Sequence, residues 1–459
     1  MNQLAAICSE NTILLSVDNK MKVEIGNPAT SRRSQIRRFF LVEDAPNYCD
    51  HDFPLRNSKL VPAGYQWRVK KLKRSRSVSP VHKKCISHRR KRSLSVTTDD
   101  KVLGSKVELV TDRIGRSKVV WPRSGPLHVE LYPSRTIEST SVMHMNFMKR
   151  LLFDVKKEHI MHNVVAVADG GPDWSVKGVP NLMVFGFLWE MLELDTFVIQ
   201  CYAPGHSRFN PIERSWSHLT KWIVSVILPV EIEELNFTIP TATEGEKWNI
   251  ILDNAVKECA KFWHGKKFEN FPVNVHQFLT NNENIANIKQ VHSLLHSFSN
   301  ATLSKLKKST ELLYLQEKYK MFVRHCNRKA YQIEFVRCQS TTCSHCTKLP
   351  CRENDFLEVM RNFGGTLPTP TLSEIHQNHY KSLSDMLRLN VSTSVSVKKE
   401  ITSTTNIGVC PYKECCYPFY SKADKARHYL LMGHPIPPED KRKRKTPAKV
   451  SKRKQKNIK

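Results

Sequence analysis

The sequence predicts an α/β protein, a mixed sheet flanked by helices, and three observations carry that expectation. Strand-like and helix-like patterns alternate through residues 136–228. Two short apolar runs each end in an aspartate, Ile13-Leu14-Leu15-Ser16-Val17-Asp18 and Val164-Val165-Ala166-Val167-Ala168-Asp169. Apolar content of 40% suffices for packed cores in part of a 459-residue chain, which has room for two or three domains.

Taken in order, Ile13 to Val17 reads as a strand, Ser16 to Asn19 as a turn, and Lys20 to Gly26 as a second strand with period-two alternation. Between residues 31 and 124 the pattern lapses into a basic, partly disordered insertion, in which Arg68 to Ser95 reads as disordered. Asp50 to Pro54 and Leu60 to Tyr65 are candidate ordered pieces within it, and Val107 to Val110 and His128 to Tyr132 are candidate strands. Glu138 to Phe153 has Met143, Phe147, Leu151 and Leu152 on one side of a helix. Asn163 to Ala168 is a strand, Asn181 to Leu194 an apolar helix, and Thr196 to Ala203 a strand. A helix then runs from Pro211 through Trp222 to Leu228. Beyond it, 231–325 reads as a helical region, 326–351 as a cysteine-rich module and 352–407 as a Ser/Thr-rich linker. A Cys/His unit fills 408–435, and a basic tail fills 436–459.

Charge narrows the partners. The formal net charge is +29, and most of it sits in two arms. Residues 66–93 carry twelve Lys or Arg, residues 441–459 carry eleven, and neither stretch has an acid. Such arms fit a polyanion, most simply DNA or another nucleic acid, or a nuclear import receptor, with Lys441-Arg442-Lys443-Arg444-Lys445 and Lys452-Arg453-Lys454 resembling a bipartite import signal. The N-terminus lacks the positive charge of a secretory signal, and the longest apolar stretches contain acids, so no membrane partner is expected. Thirteen cysteines without a secretion signal point to thiols and metal sites and away from disulfides.

Asp18, Asp169 and Glu213 are the candidate catalytic acids and magnesium or manganese ligands, because two acids at strand ends and one at a helix start can converge on paired divalent ions. Each has an ordinary structural reading as well. Glu213 fits a capping box behind Asn210 and Pro211, Asp169 fits the turn into Gly170-Gly171-Pro172, and Asp18 fits a hairpin. Asp173 competes with Asp169, which is preferred because it follows the strand directly.

In combination and order, these segments resemble the DDE superfamily of transposases and integrases. Ser16-Val17-Asp18-Asn19-Lys20 looks like its first-acid segment and Asp169-Gly170-Gly171-Pro172-Asp173 like its second. Tyr202-Ala203-Pro204-Gly205-His206-Ser207-Arg208-Phe209-Asn210-Pro211-Ile212-Glu213 is similar to the third-acid segment of mariner-like enzymes. The resemblance implies a ribonuclease-H-like domain, discontinuous over 10–30 and 125–230, and strand cleavage or transfer on DNA. It implies that Asp18 bridges both ions while Asp169 and Glu213 each hold one. His206, Arg208 and Arg214 lie near Glu213 in sequence and read first as a solvated loop and helix face. Only 17 residues precede Asp18, where such a transposase carries a helix-turn-helix reader. The expectation is therefore a truncated or decayed element or a transposon-derived nuclear protein. The alternative is a catalytically silent zinc-finger adaptor or DNA-binding regulator, and a homo-oligomer is compatible with either.

Two cysteine clusters predict zinc. Cys410-x4-Cys415-x12-His428-x5-His434 has the spacing of a two-Cys, two-His finger, with Phe419 at the core-aromatic position and Lys425 where such fingers usually carry Leu. Cys338-x4-Cys343-x2-Cys346 supplies three thiols, and the fourth ligand is open between Cys351, Cys326 and His325.

Overall fold

The apolar run that opens the chain becomes the middle of a sheet. The computed structural model describes residues 11–20, 22–26, 59–67, 109–111, 117–119, 125–202, 207, 210–224, 226–228, 244–338, 340–349, 355–363, 365–367, 408–412, 415 and 417–436. The basic runs at 68–93 and 441–459, together with His206, Arg208 and Cys351, lie outside these residues.

The strands are β1 (Thr12–Asn19), β2 (Val23–Glu24), β3 (Lys59–Trp67), β4 (Leu109–Thr111), β5 (Ser117–Val119) and β6 (Leu127–Pro133). They continue as β7 (Asn163–Ala168), β8 (Thr196–Cys201), β9 (Lys267–Phe268), β10 (Phe271–Gln277), β11 (Cys326–Lys329) and β12 (Gln332–Val336). Ten of them form one mixed sheet in the order β11-β12-β8-β7-β1-β3-β6-β10-β9, with β2 on β3, while β4 and β5 pair separately. β1 runs parallel to β7 and antiparallel to β3, and β7 runs parallel to β8.

Helices cover both faces. On one side α1 (Ser141–Glu158), α2 (Val179–Met191), α5 (Asn284–Asn300), α6 (Leu303–Lys308) and α7 (Thr310–Arg324) bury Leu15, Val17, Ala63, Tyr65, Val164 and Ala166. On the other, α3 (Ile212–Ile223) and α4 (Glu244–Trp263) pack on Leu60, Leu127 and Val129. On that same side α8 (Asp355–Asn362) packs on Leu14, Val165, Val167 and Val198. Neighbouring residues of each strand divide between the two faces, as the pleat requires. A short helix α9 (Lys422–Met432) belongs to the C-terminal Cys/His unit.

Two expectations change. Asp18 does not sit in a hairpin turn, because β1 continues through Asn19 and β2 pairs with β3 instead of β1. The ordered piece expected at Leu60 to Tyr65 is not separate from the flanking segments: residues 59–67 are a strand of the main sheet, hydrogen-bonded on both sides, to β1 and β6. The sequence signal was hidden by Pro62-Ala63-Gly64, residues that weaken any strand reading. Gly64 has a reason to be there. A Cβ at this position would lie 2.3 Å from Cζ2 of Trp216, so the absent side chain lets α3 close onto β3. Gly64 is also the antiparallel partner of Asp18.

Glu130 is a buried acid in β6 that accepts a 2.7 Å hydrogen bond from Nη2 of Arg150 on α1. Burial pushes its carboxyl up to about 8, against the opposing pull of Arg150. The folded chain therefore holds a proton that the unfolded chain, with a glutamate near 4.5, gives up. Stability from this group falls as pH rises from about 4.5 to about 8. Glu130→Gln is expected to flatten that part of the stability–pH curve measured by chemical denaturation. Gly64→Ala is expected to destabilise the fold by about 1–3 kcal/mol through overpacking against Trp216, read as a lower denaturation midpoint.

Candidate active site and metal centres

Strand register brings the first two acids together. Ser16 of β1 pairs in parallel with Val167 of β7, so Asp18 and Asp169 each follow that pair by two residues, Asp169 just past the strand end and near enough to repel Asp18. Adjacent strands are about 4.8 Å apart. Asp18 shares the face of Leu14, and Asp169 the face of Val165 and Val167, which is the side covered by α3 and α8. Glu213 lies in the first turn of α3. That helix is tied to β1 by Asn210, whose Nδ2 donates to the carbonyl of Val17 at 3.1 Å. The expected capping role of Asn210 is not adopted: Pro211 is the N-cap and no side chain caps the helix.

The electrostatics record the convergence. Burial, then repulsion from Glu213 and Asp169, pushes the Asp18 carboxyl up to about 8. The indole of Trp216 offsets part of this, although its Nε1 makes no hydrogen bond of full geometry. Glu213 is raised by burial and by Asp169, against opposing pulls from Asp18 and Lys20. Asp169 is exposed, and one of its oxygens accepts the amide of Gly171 at 3.0 Å. The turn role expected for an acid before Gly-Gly-Pro thus occupies Oδ1. The acids form a looser group than the cysteines: among the described residues, the sets whose ligand atoms all lie within 4.8 Å are the two Cys/His groups.

Asp173 is engaged elsewhere. Its Oδ2 accepts from Asn19 Nδ2 at 2.9 Å and Ser139 Oγ at 2.6 Å, and lies 3.0 Å from His144 Nε2. Burial would raise this carboxyl, but the hydrogen bonds of His144 and Ser139 bring it below its ordinary value. The other ring nitrogen of His144 meets the Tyr65 hydroxyl. This chain of polar groups fixes Asn19, the neighbour of Asp18, and no sequence signal pointed to His144 or Tyr65. Arg214 turns away to an ion pair with Glu269.

The first Cys/His group is His325, Cys338, Cys343 and Cys346. His325 is the C-cap of α7, and its Nδ1 lies 2.8 Å from the carbonyl of Met321. Donation there leaves Nε2 free as a ligand atom, 3.4 Å from Cys343 Sγ and 3.3 Å from Cys346 Sγ. Cys326 is not the fourth member: it pairs with Phe335 in the sheet, and burial pushes its thiol up to about 12. The His345 ring lies tilted against Trp189, centres 4.7 Å apart. Cys351, another of the three candidates for the fourth ligand, falls outside the described residues, among which His325 completes the group.

The second group is Cys410, Cys415, His428 and His434. Cys410 and Cys415 lie in sequence between Val409 and Pro418, which pair through an isolated antiparallel bridge. The helix α9 that carries His428 is capped by Ser421 and stopped by Gly433 in the left-handed region at φ 73°. Burial, with His434 and Arg328 nearby, lowers His428 to about 3, so its ring is neutral. Among the described residues, the buried Nε2 of His434 has no hydrogen-bond partner. Thiols, neutral imidazoles and an orphaned ring nitrogen suit a metal such as zinc. Phe419 fills the small core, and Lys425 lays its ammonium over the rings of Phe419 and Tyr429 at 5.6 and 5.9 Å.

Metal analysis of the purified chain is expected to give two zinc ions. His325→Ala should lower this to one, whereas Cys326→Ser should leave two; an unchanged content in the His325 variant would remove it from the ligand set. Among the described residues no helix is long and apolar enough to cross a membrane. No family model, curated protein or solved structure matches this chain.

Proposed function

We propose that this chain is a transposon-derived nuclear DNA-binding protein whose ribonuclease-H-like, DDE-type domain cleaves or transfers DNA strands with magnesium or manganese. One observation carries the reading. Asp18 on β1 and Asp169, just past the end of the parallel strand β7, both follow the paired residues Ser16 and Val167, and Glu213 and Asp169 each raise the cost of ionising Asp18. Holding the buried Asp18 carboxyl against two neighbouring carboxylates is unfavourable unless cations offset the repulsion. Asp18, Asp169 and Glu213 would together hold the ions. Hard oxygen donors of this kind suit magnesium, which keeps several waters of its own. Bound there, the ions supply an activated water or hydroxyl and charge neutralisation for the leaving oxygen.

The residues of the chain itself do the positioning. Asn210 fixes the start of α3 on β1, and Gly64 admits Trp216 so that the helix lies close to Asp18. The network of Asn19, Ser139, His144 and Asp173 holds the end of β1 against the loop after β7. The basic arms, outside the described residues, would supply phosphate contacts and nuclear import. The second reading, a catalytically silent DNA-binding adaptor, is favoured by the looser spacing of the carboxylates.

Nicking of supercoiled plasmid in magnesium separates the two. Wild type is expected to nick, and Asp169→Asn to lose at least about a hundredfold in rate, the scale on which a metal-activated nucleophile and charge stabilisation operate. Nicking that survives the substitution would reject this site.

A further inference from the structure

The C-terminal Cys/His unit shares its core with the α/β body. Cys410, Tyr417, Phe419, Tyr429 and Leu431 belong to the same buried cluster as Leu15, Phe185 and Phe322. Its helix α9 packs against α7. Gln316 of α7 donates to the carbonyl of Leu431 at 2.9 Å, and Arg427 donates to the carbonyl of Ala301 at 2.6 Å. The Tyr319 hydroxyl, fully buried on α7, sits 3.3 Å from Nδ1 of His428. Nε2 of the same ring faces Cys415 Sγ at 3.3 Å. A residue of the body therefore sets the orientation of a ligand in the C-terminal group.

Arg328 extends this link to the carboxylates. It rises from β11 with 3% of its surface exposed. Its guanidinium lies 4.5 Å from the ring centres of both Tyr417 and Tyr420. Its Nη2 donates to the carbonyls of Val176 and Lys177, at 3.0 and 2.8 Å. Those carbonyls belong to the loop that runs from Asp169 to α2. Among the described residues, Nε and Nη1 make no hydrogen bond of full geometry, and the carboxylate paired with Nη1, at 4.0 Å, is Asp424 of the C-terminal unit. A buried cation so partnered depends on its aromatic and acidic neighbours to stay out of water. Both come from the Cys/His unit.

We propose that the C-terminal Cys/His unit acts in cis as a zinc-closed brace, with Arg328 as the positioning residue that transmits its docking to the loop bearing Asp169, and that it is not a free nucleic-acid reader. Closing the metal site folds Tyr417, Tyr420 and Asp424 around Arg328, and Arg328 then holds the loop. This linkage stands whatever chemistry the carboxylates perform, so its test reads loop protection and not strand cleavage.

Hydrogen–deuterium exchange on the full, zinc-loaded chain decides it. Arg328→Lys keeps the charge but loses the planar fork. It is expected to retain two zinc ions and the slow exchange of β1 and β7, while exchange at 174–178 and in α9 rises at least about tenfold. Cys415→Ser, which opens the metal site, should raise exchange at 174–178 to the same degree. Tyr319→Phe, the mildest change, should weaken zinc retention against a chelator about tenfold at one site only. Unaltered exchange at 174–178 when the C-terminal zinc is lost would overturn the brace. So would a Tyr319→Phe chain that holds both ions as tightly as wild type.

Discussion

Parallel pairing of β1 with β7 is the constraint on which the candidate site depends. The pairing aligns Ser16 with Val167, and the two strands then run out together into Asp18 and Asp169. A slip of one residue would send one carboxylate to the face packed by α1 and α2, where Leu15 and Val17 lie. The register is protected by the apolar pattern itself. Leu14, Val165 and Val167 need the side of α8, while Leu15, Val164 and Ala166 need the opposite core.

That arrangement holds acids together at a cost. Asp18 is mostly buried, with Glu213 and Asp169 pressing on it, and its indole neighbour recovers only a part. The surrounding structure nevertheless enforces the approach. Gly64 removes the one side chain that would keep Trp216 and α3 off the sheet, and Asn210 bonds to the strand instead of capping its own helix. Helix stability has thus been given up locally for placement, a pattern expected at functional sites. By contrast Asp173, fully engaged with Asn19, Ser139 and His144, has the ordinary profile of a structural acid.

The two Cys/His groups sit along one helix. His325 caps the end of α7, and Tyr319, within it, reaches the ring of His428. A helix of 15 residues therefore touches both candidate zinc sites. The strands that follow it, β11 and β12, extend the sheet beside β8. The region that looks like an appendage in sequence is in this way continuous with the sheet that carries the acids.

Much of this was legible in the sequence. Apolar runs of five or six residues with β-branched side chains specified β1 and β7, because burial on both faces leaves no room for polar alternation. Ligand spacing specified the C-terminal group and three members of the other, because local chain geometry fixes which side chains a metal can reach. Other features were decided only by tertiary structure. The strand 59–67 carries Pro62, Ala63 and Gly64, whose fitness for a strand depends on Trp216 lying above them. Cys326 and His325 are adjacent in sequence, and only the sheet pairing of one and the helix-end position of the other separate a buried thiol from a ligand. Arg328 reads as one more basic residue in a basic chain. Its burial between two tyrosines, with carbonyls 151 and 152 residues away in its grip, arises from long-range packing that no local pattern encodes.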